Sequence, residues 1–400
     1  MNILYLHQYF VLPGEAGGGR SYWISQEMIK FGHSVTMITS RNSQNKLIER
    51  IRIDGIDIIY IRNSYSNTMT AYRRIISFLN FMFVSSVIAI RCKKPDLVYA
   101  TSTPLTIGLP ALKLRLIKRV PYIFEVRDLW PEFPIQMGAV KNRSVQKLLR
   151  WFEKVIYNKA VHIIALSPGM KEGIINRGIE QSKVTVIPNM SKTDKFFPHE
   201  PDVELMTKLN IGADKFKVIH FGAIGPANGL DYLIDGAMVL KEKKCNDIEI
   251  IILGDGMSKK DIEKKIICNR LGDIVTLIGS QPMEITSEIV NLCDCSIVAF
   301  RNIPVLQTNS PNKLFDSLAA GKPVIVNSAG WTKDLVEEYK CGLYIDPEKP
   351  ESFADAVIFF KNNPGILESM GKNARSLAET RFNKEILCRE LVEVLENVID

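Results

Sequence analysis

The run Ser310-Pro311-Asn312-Lys313-Leu314-Phe315-Asp316-Ser317-Leu318-Ala319-Ala320-Gly321 joins a helix start, a cation and a carboxylate within twelve residues. Ser310 suits an N-cap and Pro311 the first helical position. Gly321, with Pro323 after it, suits the helix end. The amides and positive dipole end of such a helix attract phosphate. Lys313 adds a full charge to the first turn. Asp316 lies one turn beyond Asn312 on the same face, placed to accept hydrogen bonds from a ribose diol. A well-capped surface helix with a chance lysine and aspartate satisfies these residues equally well.

The surrounding pattern decides what holds this helix. Ile3–His7 reads as a buried strand, followed by the glycine-rich loop 13–19, a helix from Ser21 to Phe31 and a strand Ser34–Thr39. That is one βαβ unit. Ile56–Ile61, Leu97–Ala100, Tyr122–Glu125 and Val161–Leu166 are further strands. Pro188–Pro201 reads as a linker. The pattern then restarts with strand Lys217–Phe221, a glycine-bearing loop 222–228, helix Leu230–Glu242 and strand Ile248–Leu253. Strands Val275–Ile278 and Pro323–Asn327 follow. The reading is α/β, with two Rossmann-like domains facing across a cleft: 1–190, 191–383, and a terminal helix in 384–400 packing back on the first. Ligands of such sheets bind beyond the carboxyl ends of the strands.

The run at 310–321 resembles the donor-binding helix of family 4 glycosyltransferases of the GT-B fold, with Asp316 at the later acidic position of their E-x7-E motif. Gly17-Gly18-Gly19, Gly32-His33-Ser34-Val35, Val186-Ile187-Pro188-Asn189, Gly254-Asp255-Gly256 and Val275–Gly279 resemble other family motifs in the same order. Arg127-Asp128-Leu129-Trp130-Pro131-Glu132 and Gly222–Leu230 resemble bacterial polysaccharide enzymes, most specifically the N-acetyl-L-fucosaminyltransferases of O-antigen synthesis, the WbuB type. The resemblance implies a UDP-linked 2-acetamido-2,6-dideoxy-L-sugar as donor substrate and an undecaprenyl-diphosphate-GlcNAc type acceptor, with no cofactor. It implies donor contacts from Gly18, Gly19, Arg20, Gly222, Gln281, Ser310, Asn312, Lys313, Leu314 and Asp316.

The chain departs from that family at the phosphate. An Arg and a Lys common in the loop after the first strand of the second domain are replaced by Ala223 and Asn228, so Lys313, the helix end and Arg20 are expected to compensate. Thr308 stands at the first Glu of E-x7-E. Arg127 stands where relatives carry a histidine near the 6-hydroxyl of the donor, a replacement compatible with a 6-deoxy sugar. Glu125, Arg127, Asp128 and Glu15 are the candidates for acceptor positioning and proton transfer; capping or an internal ion pair explains the first three as well. No Asp-x-Asp cluster sits in a suitable loop, so metal-free stabilisation of the leaving diphosphate is expected.

Of 51 Lys+Arg and 44 Asp+Glu, residues 1–190 hold 26 and 12, a basic half joined to an acidic one. Ile75–Ile90 carries no charge and is bracketed by Arg73-Arg74 and by Arg91, Lys93 and Lys94; Arg115, Lys118 and Arg119 flank a second apolar helix. With Phe78 and Phe81 these suggest an anchor on anionic lipid, against a buried helix as the alternative. No nucleic-acid motif accompanies the basic half. The N-terminus lacks a secretory pattern and the seven cysteines are scattered, so a cytoplasmic protein peripheral on the inner membrane face is expected. An NAD oxidoreductase is disfavoured because the first loop is not G-x-G-x-x-G. A UDP-sugar 2-epimerase and a non-catalytic partner subunit remain alternatives.

Overall fold

In the computed structural model all residues are described except Gly14, 16–18, Ser43, Asn45, 65–68 and Asp400. The chain divides into two compact units: Met1–Pro188 with Thr308–Ser310 and Glu385–Asp400, and Asn189–Gln307 with Pro311–Lys384.

The first unit runs β1 (Asn2–Leu6), α1 (Arg20–Lys30), β2 (Ser34–Arg41), β3 (Ile48–Ile53), β4 (Ile56–Arg62), α2 (Ala71–Arg91), β5 (Leu97–Thr101), α3 (Gly108–Lys118), β6 (Tyr122–Val126), α4 (Glu132–Gln136), α5 (Arg143–Lys159), β7 (His162–Ala165), α6 (Pro168–Ile175) and β8 (Val184–Val186). Its sheet has the order β3-β4-β2-β1-β5-β6-β7-β8, parallel except for the β3–β4 pair. Strands β1, β5, β6 and β7 are near-continuous apolar runs because helices cover both faces of such a sheet. Strand order reverses between β1 and β5, which places the ligand crevice of this unit beyond their carboxyl ends.

The second unit runs α7 (Val203–Lys208), β9 (Phe216–Ala223), α8 (Asp231–Glu242), β10 (Ile248–Asp255), α9 (Lys259–Cys268), β11 (Val275–Ile278), α10 (Met283–Asn291), β12 (Cys295–Val298), α11 (Asn312–Ala319), β13 (Val324–Val326), α12 (Trp331–Glu338), β14 (Gly342–Tyr344), α13 (Pro350–Asn362) and α14 (Pro364–Thr380). Its sheet is wholly parallel in the order β11-β10-β9-β12-β13-β14, with the reversal between β9 and β12. The core packs α8 and α13 on β9, β10 and β12 through Leu233, Ile250, Ile297, Phe353 and Phe360. Two Rossmann-like units of this kind are the GT-B architecture. The terminal helix α15 (Lys384–Ile399) groups with the first unit from Glu385 onward, where His33 Nε2 meets Glu396 at 3.2 Å.

Candidate functional site

In the second unit the chain leaves β9 through Gly222, whose φ of +103° lies in the left-handed half of the map. A Cβ at the neighbouring Gly254 would stand 1.8 Å from the Gly222 carbonyl oxygen, so β9 and β10 end closer together than any side chain permits. Asn228 does not face outward. Its Oδ1 accepts from the Gly225 amide at 3.3 Å and holds the loop.

Helix α11 begins at Asn312, one residue later than its sequence suggests. Pro311 is extended (φ −77°, ψ 132°) and takes the cap position, so Ser310 cannot cap the helix; it is buried and groups with the first unit. Leu314 is wholly buried, a core residue instead of a ligand contact. The helix ends as expected, with Gly321 at φ +65° donating to the Leu318 carbonyl at 3.0 Å.

Lys313 lies beside the turn at Gly222; a Cβ there would meet its Cε at 3.7 Å. Its Nζ is 2.9 Å from Nε2 of His220, a buried residue of β9 two places before Gly222. Among the described residues no carboxylate pairs with Lys313. Burial lowers the ammonium to about 7. The same burial, with Lys313 alongside, drives His220 well below the ordinary histidine range, so the imidazole is neutral and its Nε2 accepts from the lysine. One turn on, Asp316 Oδ2 pairs with Lys192 at 3.0 Å, both side chains nearly inaccessible. Its Oδ1 is buried with no partner among the described residues. Burial raises this carboxyl and Lys192 opposes the rise. A buried carboxylate oxygen without a donor is costly, and a ligand hydroxyl removes that cost. Gln281 follows β11, half-buried, its carbonyl accepting from Thr286 Oγ1 at 3.3 Å.

In the first unit His7, Gly19, Ser21, Arg127 and Asp128 gather beyond the carboxyl ends of β1 and β6. Gly19 (φ +65°) starts α1; Gly18 lies outside the described residues. Ser21 Oγ meets His7 Nδ1 at 2.8 Å, and Arg127 Nη1 meets His7 Nε2 at 3.4 Å. Burial, then Arg127, keeps His7 well below its ordinary range. Asp128 accepts from Thr103 Oγ1 at 2.9 Å, and burial raises its carboxyl.

Two expectations fail here together. Arg20 does not reach outward for phosphate and Glu125 is not a base. Arg20 Nε donates to Glu125 Oε1 at 2.8 Å, and Nη1 and Nη2 donate to the Pro188 and Ile187 carbonyls at 2.5 and 3.0 Å. Thr101 donates to the other Glu125 oxygen at 2.9 Å. Burial opposes both charges, but Arg20 and Arg127 still hold Glu125 below its ordinary value. Glu15 is likewise engaged, by the Leu12 amide at 2.8 Å and Arg41 at 3.2 Å.

Both halves of the chain match glycosyltransferase families: residues 17–190 the glycosyl transferase 4-like domain, residues 203–377 the glycosyl transferases group 1. The chain belongs to the family 4 glycosyltransferases. It is 21% identical over 245 residues to the alpha-D-kanosaminyltransferase of Streptomyces kanamyceticus, a match spanning 60% of this chain and 61% of that one. In fold it is similar to sucrose-phosphate synthase from Thermosynechococcus elongatus (TM-score 0.77, 17% identity, 100% and 99% of the two chains). It is similar also to Anabaena HepE in complex with UDP-glucose (TM-score 0.71, 18% identity, 99% and 100%). At these identities the structural likeness is one of fold.

The glycosyltransferase owes two site residues to positions that motif reading passes over. His220 carries a faint signal, an imidazole in the apolar strand Val218–Phe221. Lys192 carries none; only the fold brings it to Asp316. Thr308 groups with the first unit, where its carbonyl accepts from Ser167 Oγ at 2.5 Å. Among the described residues no three His, Cys, Asp or Glu side chains converge as a metal site.

The expected lipid-facing residues divide. Arg73 and Arg119 are exposed. Arg115 and Lys118 are half-buried, Lys118 donating to the Cys92 carbonyl at 2.8 Å. Arg74 is half-buried in the first turn of α2. Phe81 is 1% exposed and faces the core, so it is not a lipid contact; Phe78 is half-buried and packs edge-on to Trp130.

Proposed function

We propose that this glycosyltransferase takes its sugar from a UDP-sugar bound at the carboxyl end of the second sheet. The observation that carries the reading is the state of α11: among the described residues, a lysine that meets a neutral imidazole and no carboxylate, and three residues on, a buried carboxylate with one oxygen unpartnered. A diphosphate supplies the anion that Lys313 lacks, and the first-turn amides of α11 add donors. A ribose hydroxyl supplies the donor that Asp316 Oδ1 lacks, while Lys192 opposes the effect of burial on that carboxyl and holds it in place. Lys313 is suited to the leaving UDP because charge builds on the β-phosphate as the glycosidic bond to the donor breaks. The solved HepE complex with UDP-glucose supports a uridine nucleotide.

For the transferred group we propose N-acetyl-L-fucosamine, supported by the motif resemblance and by Arg127 in place of histidine. The acceptor is then a lipid-diphosphate-linked GlcNAc, with Arg127 and Asp128 of the first unit as the groups that engage it. The test is UDP release across UDP-N-acetyl-L-fucosamine, UDP-GlcNAc and UDP-glucose with a synthetic GlcNAc-diphospholipid, and NMR of the product. Faster turnover with UDP-GlcNAc sinks the deoxysugar assignment. Release without acceptor, yielding an epimerised sugar, sinks transfer itself.

A further inference from the structure

Helix α2 is long and apolar enough to cross a bilayer, yet only part of it is free to meet one. Its 20-residue apolar stretch Tyr72–Arg91 is buried along one side. Phe81, Ser85, Ile88 and Ala89 face the core, and Ser77 Oγ accepts from Asn63 at 2.9 Å. The helix therefore lies against its sheet instead of spanning a membrane.

The opposite face is exposed and apolar. Tyr72, Ile75, Ile76, Leu79, Phe83 and Val87 are 73, 52, 49, 41, 56 and 47% accessible, at spacings of three and four residues that make one stripe. The neighbouring helix extends it: Lys113 of α3 stands 6.0 Å over the Phe83 ring, and Leu116 and Ile117 are 64 and 62% exposed. Neither helix contains an acidic residue.

Arg91 comes one turn after Val87, at the border of a pocket of about 650 Å³ at the amino ends of β1 and β2. Arg50, Arg52, Arg91, Lys93 and Lys94 line it, against the single acid Asp57. Asp57 is 3.8 Å from Arg52, leaving four cations without a carboxylate in the lining. The Lys118 bond to the Cys92 carbonyl ties the end of α3 to this rim.

We propose that the outer face of α2 and α3 docks on a bilayer of acidic phospholipid, with a headgroup phosphate seated in the pocket at the end of α2. An apolar stripe edged by cations fits the boundary between acyl chains and anionic headgroups. A nucleic acid backbone satisfies the cations but offers nothing to six exposed apolar side chains in a row. The pocket lies at the amino end of the sheet, away from the residues given roles in transfer, so docking holds or fails whatever the donor.

The test is co-sedimentation of the full chain with vesicles of phosphatidylcholine alone, or with about a third phosphatidylglycerol. Selective binding to the anionic vesicles, weakened by salt, is expected. Each basic side chain at such a surface is worth roughly fivefold, so the triple variant Arg91→Glu, Lys93→Glu, Lys94→Glu is expected to lose about a hundredfold in partitioning. Leu79→Ser with Phe83→Ser is expected to weaken binding while keeping its salt dependence. Unfolding temperature and turnover on a water-soluble acceptor stay at the parent values in both variants, which separates lost docking from lost folding. Equal binding to the two vesicles, or a triple variant that binds normally, overturns the proposal. So does tighter binding to a single-stranded oligonucleotide abolished by the same three substitutions, or competition by millimolar inorganic phosphate without any response to the apolar variant.

Discussion

The two sheets end in clusters of charge that differ in kind. In the first unit two pairs close on one another, Arg20 with Glu125 and Glu15 with Arg41, beside Arg127 on the neutral His7 and Asp128 on the Thr103 hydroxyl. In the second the charges stay open: Lys313 leans on an uncharged imidazole and Asp316 has one oxygen satisfied of two. A closed pair is already neutral and offers a ligand little. An open cation and an open carboxylate oxygen are incomplete until something binds. The difference separates charge paired within the fold from charge that awaits a substrate, although both lie near the crevice end of a sheet.

The sharpest way to break this contrast is at the closed pair. Glu125→Gln leaves the Arg20 guanidinium buried without its counter-charge, at a cost of about 3–5 kcal/mol in stability. The double variant Arg20→Met, Glu125→Leu is expected to recover most of that in urea unfolding. A Glu125→Gln protein of full stability that has lost turnover would make Glu125 catalytic and end the contrast. The open site comes next. Lys313→Met is expected to lower kcat/KM about a hundredfold, the worth of a charged hydrogen bond to the transition state. It is expected to weaken UDP far more than uridine in calorimetric titration. Equal losses for both ligands would mean that the lysine shapes the helix and does not meet phosphate.

The parts of this site readable from sequence are those set by neighbours along the chain. Gly321 ends α11 because a left-handed residue is needed there, and Lys313 and Asp316 share a face by helical repeat alone. Two-unit α/β architecture follows from apolar runs alternating with helical ones. What could not be read depends on partners far apart in sequence. Arg20 and Glu125 are 105 residues apart and meet only because α1 follows β1 and β6 lies two strands away. Likewise the composition of α2 marks it as apolar, but whether Leu79 or Phe81 points outward depends on how the helix rests on its sheet. Ser310 shows a local rule outcompeted: Pro311 stays extended and moves the helix start past it.

A smaller effect follows from the Lys313 ammonium titrating at about 7 in the unliganded protein. A diphosphate favours the charged form, so binding raises that value. Below pH 7 the lysine is already charged and UDP affinity is insensitive to it. Above pH 7 binding takes up as much as one proton, and affinity falls by up to about tenfold per pH unit until the value of the bound state is reached. Calorimetry in two buffers of different ionisation enthalpy measures the uptake, which Lys313→Met abolishes. Uptake that persists in the variant assigns the proton to another group.

The smallest effect tests the closed side of the contrast where it is weakest. Glu15 and Arg41 are 42 and 33% exposed in their pair, so water already screens them. Glu15→Gln keeps an acceptor for the Leu12 amide and removes only the charge. Its cost in stability is expected below about 1 kcal/mol, within the range of exposed pairs. Its kcat/KM is expected to stay within about threefold of the parent, because the bonds to the Leu12 amide and Arg41 give Glu15 a structural role in its loop. The pair also predicts that 1 M salt brings parent and variant to equal stability, since screening at that ionic strength extends over about 3 Å. A loss of a hundredfold or more in turnover with stability intact would move Glu15 from the closed charges to the catalytic ones, beside Arg127 and Asp128.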